Sequence, residues 1–320
     1  MIKISSISRK FLCISCLFFS TSLCFSQQPE NLSKLVNQTM QLLRQGEYWS
    51  GLSPFRNYIK DSAQAMITAF KPYTSDSLEN IRSLAYDAIA VSGQKATNLQ
   101  TRQLATDILV DGCRDKEASM RKNVAGQLEH FLKSDFTESA KQKLASLLKM
   151  ESQYFQNTVK LIGFLEINSE IPVLKAMLDS GQIKNRTLEW DVRLCLARLN
   201  SKDDINYCVD MVKKKGLNDK IIYNLFPDLT YTRSKEAIDY MLEVLNRDAK
   251  DCFSPNPDNP VQISCAYRVM EFLAPIIMDF PLKKDKDGEL EIEDYEKGLI
   301  TCRAWFKKHL GDYEVNRDRF

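Results

Sequence analysis

The sequence predicts an all-α fold, an alpha-alpha superhelix of stacked antiparallel helix pairs, on three observations. Runs such as LENIRSLAYDAIAV (78–91), TRQLATDILVDGC (101–113), MRKNVAGQLEHFL (120–132) and QYFQNTVKLIGFLE (153–166) place apolar residues three and four apart, as amphipathic helices do, and no comparable stretch alternates at period two. Short connections rich in Gly, Asn, Asp and Ser separate the runs, among them SGQKAT, KSDFTES, DSGQIKN and NSKDD, which are turn-forming compositions. The chain also repeats itself. Leu128–Leu132, Ile162–Glu166 and Leu196–Asn200 align at a spacing of 34 residues, and Leu225–Leu229 follows after 29. Each anchor lies late in a first helix and precedes a second (ESAKQKLASLLK, IPVLKAMLDSG, DDINYCVDMVKKKG, SKEAIDYMLEVLNRD). A lone helix pair cannot bury both its faces, so stacking supplies the continuous core.

The elements follow in order. Residues 1–26 carry a basic start (Lys3, Arg9, Lys10), an apolar stretch FLCISCLFFSTSLCF and small residues before Gln27, the order of a secretory signal peptide. The apolar run is too short and too interrupted by Ser and Thr for a membrane span, so no transmembrane span is expected once the leader is removed. Acylation at Cys16 or Cys24 is the less favoured alternative: Leu23 is large for the position before a lipidated Cys24, and Cys16 leaves a very short apolar core. Export places the chain in the periplasm or outside the cell.

Residues 27–75 read as an N-terminal helical cap, broken by EYWSGLSPF, whose Tyr48 and Trp49 are expected to pack inside it. Residues 76–280 hold the repeats. Residues 281–320 give a charged turn, a short extended piece at Glu289–Ile292 and a closing helix from Tyr295 to Leu310. Its apolar face would be Tyr295, Leu299, Cys302, Trp305, Phe306 and Leu310.

Within 76–280 the helix-pair length, the apolar ladder and Pro or Asp near some turns resemble HEAT-type repeats, a loose likeness without a strict signature. Asp191-Val192-Arg193 echoes the tripeptide that opens second helices in that family, here in a first helix. The closing Trp-containing helix is similar to that of some secreted HEAT-like bacterial proteins. The resemblance implies a curved scaffold for protein association and brings no catalytic residues. Tetratricopeptide repeats share the length of 34 but not the Trp, Gly-Tyr and Ala-Phe-Pro pattern.

Charge and cysteines narrow the function. The full chain has 44 Lys plus Arg against 42 Asp plus Glu, a formal +2. Loss of Lys3, Arg9 and Lys10 with the leader brings the balance to −1, which gives no global electrostatic case for nucleic acid. Of nine cysteines, Cys13, Cys16 and Cys24 leave with residues 1–26, and six remain, enough for disulfides in an oxidising compartment. Cys252 and Cys265 flank a Pro-rich loop, FSPNPDNPVQIS. Pro255, Pro257 and Pro260 restrict that loop, and a bridge closing about 14 residues would add on the order of 3 kcal/mol. Cys195 and Cys208 lie at matching levels of two helices folding at NSKDD and form the second candidate pair. Cys113 and Cys302, far apart in a linear array, are expected as buried free thiols.

No constellation supports catalysis, a metal or a cofactor. There is no HExxH, no GxSxG and no phosphate-cradling Gly loop, and the one CxxC, CISC, lies in the leader. The two histidines, His130 and His309, stand apart. A calcium loop starting at Asp285 would end at Glu296 but carries Gly288 at its fourth position instead of its sixth, so KKDKDGELEIEDYE reads as a solvated charged turn. Lys213–Lys215 sit near a helix C-terminus, where lysines are favourable without a ligand. The function expected is a non-catalytic exported scaffold binding a protein or peptide on a face lined by the second helices. The alternatives are a glycan-acting cell-envelope enzyme and a purely structural envelope component.

Overall fold

Apolar periodicity gives helices throughout. The computed structural model describes residues 24–47, 51–181, 183–255, 258, 260–285 and 288–320, with the side chains of 24–30 excluded. Most of the leader, together with Tyr48, Trp49 and Pro257, lies outside the described residues. The fold is all-α, with one two-stranded ribbon. The chain divides into two compact units, Met1–Thr97 and Asn98–Phe320.

The first unit contains α1 (Cys24–Arg44), α2 (Arg56–Asp61), α3 (Ala63–Phe70) and α4 (Glu79–Lys95). Leu32, Val36 and Met40, spaced four apart on α1, are all buried, and α1 packs on α3 and α4. Phe55 and Phe70 meet edge to face at 5.1 Å inside the unit. The 79–95 helix stays with this unit because its Ile81, Ala85 and Ile89 face α3 and α2.

The second unit contains α5 (Leu99–Gly112), α6 (Ala118–Leu128), α7 (Glu138–Leu147), α8 (Ser152–Phe155), α9 (Val159–Phe164), α10 (Ile171–Asp179), α11 (Arg186–Arg198), α12 (Lys202–Lys213), α13 (Asp219–Thr232) and α14 (Lys235–Leu245). The ribbon strands β1 (Cys252–Phe253) and β2 (Gln262–Ile263) follow, then α15 (Ala266–Leu273) and α16 (Tyr295–Lys308). Polar residues start the helices where the sequence places them. Asn98, Thr137, Asn185, Asn218, Ser234 and Asp294 each accept a backbone N–H of the first turn through the side chain, a contact worth about 1 kcal/mol each. First helices pack on first helices, α9 on α11, α11 on α13 and α13 on α15, and second helix α7 also packs on α9. Second helix α12 packs on α14, and hairpin partners α11 with α12 and α13 with α14 close the pairs.

Helix ends set the register. Glu166, Asn200 and Arg233 all have positive φ (54°, 66° and 52°). After α9 and α11 the backbone closes in the same way: Glu166 N–H donates to the Gly163 carbonyl and Ile167 N–H to Ile162, while Asn200 N–H donates to Ala197 and Ser201 N–H to Leu196. This paired 5→2 and 6→1 bonding is the Schellman closure. The turn residues are therefore spaced 34 and then 33 apart, so the unit that the sequence aligned at Leu225–Leu229 properly registers at Arg233.

The ribbon holds the Pro-rich loop. Cys252 pairs with Ile263 and Phe253 with Gln262 in antiparallel register, and a Cys252–Cys265 disulfide closes the segment. The expected Cys195–Cys208 bond is not made: both are buried free thiols, as are Cys113 and Cys302. Helix geometry gives the reason. Arg193 is the α11 residue that reaches α12, donating to Asp204 at 3.0 Å. Cys195 lies two residues on, about 200° around the helix, against Gly163 of α9.

At the C-terminal side, the Lys284–Leu290 bridge forms the charged hairpin. Of the expected stripe, Leu299, Cys302 and Phe306 of α16 are buried and Trp305 is half-buried, whereas Tyr295 is exposed and Leu310 lies beyond the helix, 74% exposed.

Candidate functional site

The last residues of the chain do not extend the stack. They run back along it. Ile277 pairs with Val315 in an isolated antiparallel bridge, with Met278 N–H donating to Glu314 and Asn316 N–H to Ile276. Asn316 Oδ1 then accepts from Asp318 N–H at 2.9 Å, which turns the backbone, and Lys133 N–H donates to the Asp318 carbonyl. The segment 314–320 thereby crosses the ends of α9, α11 and α13, at the same turns that carry the positive-φ residues.

Two buried arginines hold it. Arg198, wholly buried at the end of α11, donates through Nη1 to the Tyr231 carbonyl and through Nη2 to the carbonyls of Arg317 and Arg319 at 3.0 and 3.1 Å. Arg233, in the left-handed turn after α13, donates to the carbonyls of Thr230, Asn316 and Phe320, the last two at 2.8 and 2.9 Å. No Asp or Glu side chain among the described residues hydrogen-bonds either guanidinium. Burial pulls both below the ordinary arginine value, and repulsion adds to it, from Arg317 on Arg198 and from Arg198 and Arg317 on Arg233: Arg198 falls to about 10 and Arg233 to about 9. Both remain charged at neutral pH, solvated by carbonyl oxygens of α13 (Tyr231 and Thr230) and of the strap formed by residues 314–320.

Two side chains of the strap are read. Arg317 donates to Glu166 Oε1 at 2.8 Å and to the Arg198 carbonyl at 2.8 Å. Burial pushes the Glu166 carboxyl up, but hydrogen bonds from Arg317 and Lys133 outweigh it and hold the group below its ordinary value. The Phe320 ring meets Phe164 at 5.7 Å edge to face and Tyr231 at 5.2 Å, with Lys160 Nζ 5.8 Å from its centroid. Tyr231 is fixed in turn by donating its hydroxyl to the Lys160 carbonyl at 2.6 Å. Gly163 makes room for this arrangement: a Cβ there would press on the Tyr231 hydroxyl and come within 3.1 Å of the Cys195 backbone.

Beside the aromatic pocket runs a row of half-buried carboxylates, Glu129, Asp191 and Asp228, around Lys160. Burial raises all three, Asp191 to about 6, with Lys160 offsetting part of the shift. Asp228 also accepts from Trp190 Nε1 at 2.7 Å. Trp190 lines a separate cleft of about 650 Å³ with Tyr207, Arg193 and Leu225, in which Arg193 stacks on Tyr207 at 4.0 Å.

Residues singled out from the sequence are scattered. His130 is exposed. His309 stacks on Trp305 at 4.4 Å and lies 2.9 Å from the Trp305 carbonyl. Burial disfavours the thiolate of each free cysteine, pushing Cys113, Cys208 and Cys302 up to about 12 and Cys195 higher still. Among the described residues no group of three acidic, His or Cys side chains is arranged for a metal, and no helix is long and apolar enough to cross a membrane. Sequence reasoning missed Arg198, Arg233 and the strap. No local pattern marked them: Arg198 is the third residue of the Leu196–Asn200 anchor, the equivalent positions are His130, Phe164 and Pro227, and Arg233 lies four residues beyond Leu229. Compared with protein-family models, curated proteins and solved structures, the chain gives no match.

Proposed function

We propose that the protein is a non-catalytic, HEAT-like helical-repeat scaffold, exported to the periplasm or beyond, that binds a protein or peptide. One observation carries this reading: the stack already holds an extended peptide, residues 314–320, across three successive helix ends by guanidinium-to-carbonyl hydrogen bonds. Backbone recognition of that kind tolerates varied sequences, which suits a scaffold. The recurrent packing of first helix on first helix and the spacing of 34 and 33 between turns support the repeat assignment. The Cys252–Cys265 bond supports an oxidising compartment.

The competing enzyme reading is favoured by the raised carboxylates Asp191, Asp228 and Glu129, since a neutral carboxyl near pH 6 suits general-acid work. Lys160 among them, which offsets part of each shift, weighs toward a structural ion cluster. The test is affinity capture with the tagged, processed protein from its own envelope fraction, together with Asp191→Asn, Asp228→Asn and His130→Ala. The scaffold reading predicts near-stoichiometric capture of one partner, retained in all three variants. A single one of these substitutions abolishing turnover of a defined glycan substrate would overturn it.

A further inference from the structure

The groove at the ends of α9, α11 and α13 has the chemistry of a ligand site whose occupant happens to be part of the same chain. Its charge is the first reason. Arg198 and Arg233 are buried, Arg198 repels Arg233, and among the described residues no Asp or Glu side chain hydrogen-bonds either guanidinium, Glu166 acting on Arg198 only through space. Each keeps one α13 carbonyl, Tyr231 for Arg198 and Thr230 for Arg233, and its other N–H groups on the groove would lack acceptors if nothing supplied oxygens. Helix closure does not need the strap, because α9 and α11 satisfy their last carbonyls through their own turns.

The second reason is the division of labour in the occupant. Main-chain oxygens of Asn316, Arg317, Arg319 and Phe320 are gripped irrespective of side chain. Only two side chains enter, Arg317 against Glu166 and Phe320 between Phe164 and Tyr231. Glu314, Asp318 and Arg319 point to solvent. The third reason is that 314–320 contains no helix and is tied to its own side of the fold only through the Ile276–Met278 bridge.

We propose that this groove is a peptide-recognition site for an extended segment of the form Arg-x-x-aromatic on a partner protein, and that residues 314–320 occupy it in cis as a competitor. Glu166 selects the arginine, the Phe164–Tyr231 pocket selects the aromatic ring, and Arg198 and Arg233 bind the backbone between them. The proposal rests on the scaffold reading and specifies its binding site.

The probe is a fluorescent, C-terminally amidated peptide of residues 312–320, titrated by anisotropy into the full chain. Arg317→Ala/Phe320→Ala in the protein vacates both side-chain subsites. The variant should bind the peptide saturably and at least tenfold tighter than the wild type. Alanine in place of the peptide's Arg317 or Phe320 should weaken binding at least tenfold. Phe320→Leu, which keeps the Arg317 pair and the backbone bonds, should fall between wild type and double variant, and it decides the question if the double variant does not fold.

No saturable binding by a folded variant with circular dichroism matching the wild type would overturn the proposal and leave the strap as a structural staple. Wild-type dimerisation without peptide binding by monomeric variants would overturn it in favour of tail exchange between copies. The two readings fail separately. Peptide binding without capture of an envelope partner keeps the site and removes the scaffold role; capture that is unchanged by Glu166→Gln and Arg233→Gln keeps the scaffold and removes this site.

Discussion

Asp191 shows how far a single residue can depart from its sequence reading. In the sequence it belongs to an Asp-Val-Arg echo of a repeat signature. In the structure it is a half-buried carboxylate next to Lys160 and Asp228, raised by desolvation to about 6. Its folded pKa lies above the unfolded value near 3.8, so the folded chain binds the proton more tightly. Stability conferred by this group is present at low pH and is lost as pH rises through about 6. Asp191→Asn removes the desolvated charge and should stabilise the protein by about 1 kcal/mol at pH 7.5, a figure held down by solvent screening of a half-buried group. At pH 3.5 the gain should vanish. Thermal melts at the two pH values check this, and a loss of stability at pH 7.5 would mean that the Lys160 interaction dominates. The buried thiols were legible as apolar residues, but the free state of Cys195 was not. Equal distance from a turn does not fix rotation about the helix, and the Arg193–Asp204 bond shows which face of α11 meets α12.

Among the elements, helices were the most legible because their signal is local: apolar spacing inside, an Asn, Ser, Thr or Asp at the start. A recurring clamp went unread although its residues were in view. Arg82 reaches the carbonyls of Asp76 and Ser77, and Arg121 those of Asp115 and Lys116, so Asp-x5-Arg marks the starts of α4 and α6. The Pro-rich segment answered to cysteine spacing and to prolines that demanded a loop, and it is closed by Cys252–Cys265 over a ribbon. Replacing both cysteines by serine should cost about 3 kcal/mol in chemical denaturation. Peptide capture should persist, because the ribbon supplies no residue to the groove. Loss of capture with the fold intact would make this loop a recognition element. Turns were less legible. Glu166 and Arg233 adopt a left-handed conformation that their side chains do not favour, and neither glycine nor proline marks the position.

At the scale of the molecule, the 34-residue period read from the sequence recurs in the positive-φ turns at Glu166, Asn200 and Arg233, 34 and 33 residues apart. The candidate site was not legible because it depends on residues 119 and 121 positions apart, Arg198 with Arg317 and Arg319. No local pattern encodes such a pairing. The second-helix face expected to bind partners is not where the strap lies; it lies on the edge formed by the turns out of the first helices.

The account's central claim is that this strap is a bound peptide, separable from the fold that holds it. Hydrogen exchange on the full chain tests it most directly. The amides of Lys133, Met278 and Asn316, bonded to or from the strap, should open at lower free energy than the core amides of α11 and α13. Arg317→Ala should speed the first group at least about tenfold and leave the second unchanged. If both groups instead exchange together and accelerate together in the variant, residues 314–320 are part of the core, and the peptide-site account is contradicted.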